Sequence, residues 1–147
     1  MKDLLYLKDE QIKDCIQLLL YAYRETFSDP VEILKKNSLG AAHHRTLHLI
    51  ERNEGISVNE LLIKLKITKQ SLNRVLRDLK HLKIIKQIKD SSDTRRKLLY
   101  LDQNGKKFYK EVFESQKKRI FNALKDSDSE SVIKFKEVLK KIINGKK

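Results

Sequence analysis

The chain has 147 residues, with 33 Lys and Arg against 20 Asp and Glu, a formal charge of +13. Four glycines, one proline and no tryptophan argue against a Gly-rich phosphate loop, a collagen-like chain or a turn-rich all-β domain. The lone cysteine, Cys15, rules out an internal disulfide framework and a Cys-rich zinc site, and no apolar run approaches the roughly 20 residues that span a bilayer.

In chain order, Ile12, Cys15, Ile16, Leu19, Tyr23 and Phe27 repeat at helical spacing and predict a helix from Asp9 to Phe27. Ser28-Asp29-Pro30 breaks it, and Pro30 opens a short helix, Val31 to Lys36. A helix from Leu39 to Arg52 follows, stopped by Gly55 in a left-handed turn. Ser57-Val58-Asn59-Glu60 is a Ser-x-x-Glu capping box before a helix of about two turns. Lys66-Ile67 is a tight connector, and Thr68 caps a helix running to Leu82. Two short capped helices joined in this way are a helix-turn-helix. Ile84–Lys89 and Lys97–Leu101 read as strands around the polar turn Asp90-Ser91-Ser92-Asp93-Thr94, which makes a hairpin, or wing. Asp102–Gly105 starts a long helix, Lys106 to Lys125. A final helix, Glu130 to Ile143, carries Val132, Phe135, Leu139 and Ile142.

The charge is uneven. Residues 64–97 hold 12 basic and 3 acidic side chains, whereas residues 1–63 hold 8 and 10. A dense basic block inside a foldable segment is an electrostatic footprint for a polyanion, set against the plainer reading of a solvated lysine-rich surface. With Leu72 at 0° and 100° per residue, Leu72, Val75, Leu76, Leu79 and Leu82 share a 120° arc and form the core face. Gln70, Asn73, Arg74, Arg77 and His81 fall opposite, with Lys69 on the flank. Amides and arginines are the side chains that read adenine and guanine edges. An ordinary solvated face is the alternative for the helix alone, and the order helix, turn, helix, basic hairpin favours DNA. The wing tip, Asp93-Thr94-Arg95-Arg96-Lys97, places arginines where a narrow minor groove attracts guanidinium groups. Asp93 is suited to holding Arg95 in one rotamer.

Asp93-x-Arg95, then Leu99-x-Leu101 and Gly105, together with Leu39-Gly40-x-Ala42-His43-His44-Arg45 and Ile67-Thr68-Lys69-Gln70-Ser71-Leu72-Asn73-Arg74, resemble the multiple-antibiotic-resistance regulator (MarR) family of bacterial winged-helix transcription factors. The resemblance covers nearly the whole chain. Asp102 stands where that family usually has Thr, and both are good N-caps. The resemblance implies a mostly α, α+β winged helix-turn-helix with long N- and C-terminal dimerisation helices. It implies a homodimer that binds an inverted repeat in double-stranded DNA and usually represses transcription. Many members release DNA on binding a small phenolic effector or on cysteine oxidation. One domain, 1–147, would then divide into dimerisation helices at 1–37 and 106–147 and a DNA-binding lobe at 38–104. The residues facing DNA would be Thr68, Lys69, Gln70, Ser71, Asn73, Arg74, Arg77, Asp93, Arg95 and Arg96, and Tyr21, Tyr23, Arg24, His43 and Arg45 are candidates for an effector site. The residues themselves agree about dimerisation. The first helix, the stripe Phe108, Val112, Ile120 and Leu124, and the last helix present more apolar surface than a small winged core can cover.

His44 and His48 stand four apart, a spacing that can bind a metal, but no further ligand stands at a diagnostic distance. Packed or hydrogen-bonded histidines are the better reading. Cys15, among Ile12, Ile16 and Leu19, is expected to be a buried structural thiol rather than a peroxide sensor. No cofactor is called for and no catalytic constellation appears: there is no nucleophile elbow, Walker loop, paired-carboxylate spacing or HExxH, so an enzyme is not expected. Met1–Leu5 lacks a signal-peptide core, and with the single thiol this predicts a cytoplasmic protein. The competing function is a winged helix that binds nucleic acid without sequence preference, as an architectural protein, or that serves as a protein-interaction adaptor.

Overall fold

The computed structural model describes residues 4–145. After a 3-10 turn at Leu5–Leu7 come α1 (Asp9–Ser28), α2 (Val31–Lys36), α3 (Ala41–Arg52), β1 (Ile56–Ser57), α4 (Val58–Leu65), α5 (Lys69–His81), β2 (Ile85–Lys89), β3 (Lys97–Leu101), α6 (Gln103–Lys125) and α7 (Ser129–Asn144). The fold is mostly α, with one small antiparallel sheet in the order β1-β3-β2.

Local chemistry sets the boundaries. Ser57 Oγ accepts from the Glu60 amide at 3.1 Å while Glu60 Oε2 accepts from the Ser57 amide at 3.4 Å, so the capping box closes α4 in both directions. Lys66 takes the left-handed conformation, φ 54°, and turns the chain within one residue. Thr68 Oγ1 then accepts from the Ser71 amide at 3.1 Å and starts α5. Asp128 caps α7 in the same way, accepting from the Ser131 amide at 2.8 Å, and Asp102 starts α6 by accepting from the adjacent Gln103 amide at 2.9 Å.

The core lies where α3, α4, α5 and the sheet meet. Leu47, Ile50, Leu61, Leu72, Leu79, Ile85, Leu99 and Val112 are fully buried there. Each contributes about 1.5–3 kcal/mol of transfer free energy. The hairpin register pairs Ile85 with Leu101 and Lys89 with Lys97, which turns Leu99 and Leu101 inward.

Four expectations change. A third strand exists: Ile56–Ser57 pairs with Leu99 and Leu98. Two residues are too few to show a period of two. Leu82 is exposed rather than part of the α5 core face, because α5 ends at His81 and Lys83, φ 58°, swings the chain toward β2. Phe108 and Val112 do not share the fate of Ile120. Both are buried against the winged core, because the first turns of α6 pack on the lobe, while Ile120 stays exposed. Cys15 is exposed in this chain, because α1 contains no buried residue and touches the rest of the fold through its C-terminal end. There Gln116 Nε2 donates to the Thr26 carbonyl at 2.8 Å and Arg119 grips Asp29 with two hydrogen bonds of 2.7 and 2.9 Å.

Candidate nucleic-acid interface

Helix α5 is divided cleanly by its 3.6-residue period. Leu72, Val75, Leu76 and Leu79 are buried; Lys69, Gln70, Asn73, Arg74 and Arg77 are exposed on the other side. Thr68 and Ser71 are exposed too, but they are engaged with each other: Thr68 donates to the Ser71 hydroxyl at 2.8 Å as well as capping the helix.

The wing stands beside this face. Asp93 Oδ1 accepts from the Arg95 amide at 3.0 Å and from its Nε at 3.3 Å, so the two expected partners do meet. The Arg95 side chain is otherwise 91% exposed, aimed outward on a tethered stem. Arg96 behaves differently. Its Nη2 donates to Glu60 Oε1, and its Nη1 lies 3.6 Å from Asp90 Oδ2. Between wing and α5 runs an open cleft of about 550 Å³, lined by Lys69, Arg77, Lys80, Arg95, Arg96 and Lys97, by Asn73, Leu76 and Gln87, and by Ser57, Val58 and Asn59 at the start of α4. Lys69, Arg77 and Lys80 on the α5 side and Arg95 and Lys97 on the wing side focus positive potential across this cleft, where a chain of phosphates could pass, whereas Arg96 is taken up by its two carboxylates.

The five residues weighed for an effector site do not form one group. Arg45 Nη1 donates to the Tyr23 hydroxyl at 3.3 Å. Arg24 instead lies over the Tyr21 ring, 4.6 Å from its centroid, and pairs with Glu25. His43 turns toward α5: its Nδ1 accepts from the Gly40 amide at 3.0 Å, which leaves Nε2 to donate to Asp78 Oδ2 at 2.8 Å. Asp78 was not singled out in the sequence, and Glu60 was read there only as a capping residue, not as the partner of Arg96. Asp78 is one of only three acids in the basic block 64–97, and that isolation was the available signal.

His44 is fully buried beside Phe27, at a centroid distance of 5.2 Å, and neither ring nitrogen has a hydrogen-bond partner. Of the neighbouring Gln116 amide, the Nε2 donor is spent on the Thr26 carbonyl. Burial first, then the nearby His48 and Arg45, hold the His44 pKa down to about 4 against an opposing pull from Gln116. His48 meets the Tyr109 hydroxyl at 3.0 Å and is also shifted down, chiefly by burial, although Glu51 opposes the shift. Burial and Glu51 push the Tyr109 phenol up to about 12. Among the described residues, no three His, Cys, Asp or Glu side chains gather as a metal-ligand set.

A stability prediction follows from His44. The unfolded chain takes up its proton near pH 6.5, while the folded one resists until about 4. Stability contributed by neutral His44 is therefore complete above pH 6.5 and falls as pH drops toward 4, by about 3 kcal/mol in total. Urea unfolding at pH 7.0 and 5.0 is expected to show that slope, and His44→Leu to flatten it. An equal slope in both proteins would refute the assignment.

Comparison with known proteins carries the same pattern. A sequence profile of the MarR family matches residues 38–96. The HTH-type transcriptional regulator PetP of Rhodobacter capsulatus is 36% identical over 141 residues, 96% of this chain and 85% of that protein. The chain belongs to the MarR family. Among solved structures of the fold, Staphylococcus aureus MepR in its DNA-binding conformation is similar at a TM-score of 0.75 and 21% identity, over 86% of this chain and 94% of that one. NadR in complex with 4-hydroxyphenylacetate gives 0.75 and 23%, over 87% and 91%. This MarR-family protein is accordingly a transcriptional regulator with a DNA-binding winged helix, not an enzyme. No described helix is long and apolar enough to cross a membrane.

Proposed function

We propose that this MarR-family regulator acts in the cytoplasm as a homodimer that binds an inverted-repeat operator and represses transcription. The observation that carries the reading is the placement of two different readers on either side of one basic cleft. The amide and arginine face of α5 has the chemistry and width for a major groove, and the outward Arg95 suits the adjacent minor groove. Lys69, Gln70, Asn73 and Arg74 would read bases. Arg77 would meet the backbone, Thr68 and Ser71 would hold the start of the helix, and Asp93 would set the Arg95 rotamer. A two-fold dimer presents two such faces, hence the inverted repeat. The dimer surface would be α1 with α7 and the part of α6 beyond the buried Gln116, a narrower stretch than 106–147 as a whole. An effector, if phenolic and acidic as in the NadR complex, would find a cation and a hydroxyl at Arg45 and Tyr23.

Selection from a random duplex library at physiological salt tests the reading. An enriched inverted repeat with half-sites about one helical turn apart is the expected result. Arg74→Ala is expected to cost roughly 1–3 kcal/mol on that site and to relax base preference at one position. Arg95→Ala is expected to weaken binding strongly and to lower the salt slope. Displacement by random duplex as readily as by the operator would favour the non-specific reading.

A further inference from the structure

Arginines 95 and 96 are neighbours in the wing, yet the fold treats them oppositely. Arg95 is 91% exposed and touches one carboxylate through its Nε; Arg96 is 46% exposed and lies between two, Glu60 and Asp90. Those two carboxylates come from different places. Asp90 closes the end of β2, where its Oδ1 also accepts from the Ser92 amide at 3.0 Å and its hydroxyl at 2.9 Å. Glu60 is the third residue of α4, fixed by the capping box at Ser57. The Arg96 backbone takes part as well: its amide donates to the Asp93 carbonyl at 2.9 Å, and its carbonyl accepts from the Asp90 amide at 2.9 Å. One residue therefore joins both strands of the wing to the first helix of the helix-turn-helix.

We propose that Arg96 is a positioning residue that pins the wing to α4 and so sets where Arg95 points, rather than a phosphate contact in its own right. A guanidinium flanked by two carboxylates sits in a locally anionic setting, which repels a phosphate at the range where an isolated arginine attracts one. The planar fork is what the position needs. It can address two carboxylates at once, whereas a lysine ammonium has the same charge but cannot reproduce that geometry. Glu60 thereby serves two ends. One oxygen closes the helix cap and the other takes the wing, so the wing is referenced to the same helix that leads into α5.

The inference deepens the operator-binding reading and rests on it for its DNA arm alone; its first test needs no DNA. Hydrogen exchange in the free protein, followed at the Asp90 and Arg96 amides, is expected to quicken about threefold to fivefold in Arg96→Lys, the range an exposed ion pair supports. Glu60→Gln, which keeps the capping box, is expected to do the same, and the double variant no more than either. Against the selected operator, Arg96→Lys is expected to bind about threefold to fivefold more weakly with the wild-type salt slope, because the charge is retained and only the geometry is lost. Arg96→Lys with wild-type exchange and wild-type affinity, alongside an Arg96→Ala slope reduced by about one phosphate, would make Arg96 a backbone contact and overturn the proposal. If no operator is selected, the exchange arm still decides it.

Discussion

Gly105→Ala is expected to destabilise the protein, although intrinsic propensity says the opposite. Gly105 is the third residue of α6, and alanine is favoured over glycine inside a helix by about 1 kcal/mol. The backbone there has no room for the methyl group. A Cβ at Gly105 would stand 1.8 Å from the Ile84 carbonyl oxygen and 2.8 Å from its carbon. That oxygen cannot swing aside as a side chain would, because it accepts from the Asp102 amide at 2.9 Å and leads directly into β2. The start of α6 would have to lift off the sheet, and Phe108 and Val112, buried one and two turns later, would lift with it. Overpacking of this kind costs about 1–3 kcal/mol and more when rigid backbone is the obstacle. A net loss of at least about 2 kcal/mol is expected, read as a lower urea midpoint at unchanged slope. A raised midpoint would mean that α6 does not sit against the Ile84 carbonyl in solution.

That glycine illustrates what the sequence discloses and what it withholds. Caps are local, so Ser57, Glu60, Thr68 and Asp102 announce the starts of α4, α5 and α6 directly. The Asp93 and Arg95 pairing is equally local, two residues apart, and was readable. Arg96 looks no different from Arg95 in sequence; its partner Glu60 lies 36 positions away, and only the fold brings them together. His43 has the same character. Its neighbours suggest a site lining, while its contact is Asp78, 35 residues on. Gly105 belonged to a recognised motif, but the carbonyl that forbids a side chain there comes from Ile84 in another element. Apolar stripes were visible on α1, α6 and α7, yet periodicity cannot say which body covers a stripe. In α6 the answer changes within one helix, from the lobe core at Val112 to exposure at Ile120.

Ile16→Glu is expected to abolish the proposed dimer and, with it, binding to the proposed operator. Ile16 is 61% exposed in the single chain, so a monomer would accept the carboxylate at no cost. Its surroundings argue that it is not exposed in the working assembly. Leu18, Leu19 and Leu20 are successive and all exposed, which spreads apolar surface around much of α1 rather than along one stripe. A helix apolar on several sides is stable in water only when other helices surround it. Helix α7 offers a matching surface in Ile133, Phe135, Val138 and Ile142, each at least half exposed, and neither α1 nor α7 has a buried residue of its own. Two-fold symmetry places each substitution twice, so losing two buried isoleucines and burying two carboxylates removes at least about 5 kcal/mol of association. The dissociation constant then rises by roughly three to four powers of ten. Sedimentation equilibrium is expected to show a dimer for the wild type and a monomer for Ile16→Glu, with circular dichroism reporting whether the freed monomer keeps its helices. Ile63→Glu is the control. Ile63 is 74% exposed on α4 but belongs to no comparable patch, and a solitary exposed apolar residue is ordinary. Its substitution is expected to leave the mass unchanged. A dimer that survives Ile16→Glu would move the interface away from α1, and the two basic clefts would then need another element to hold them one helical turn apart.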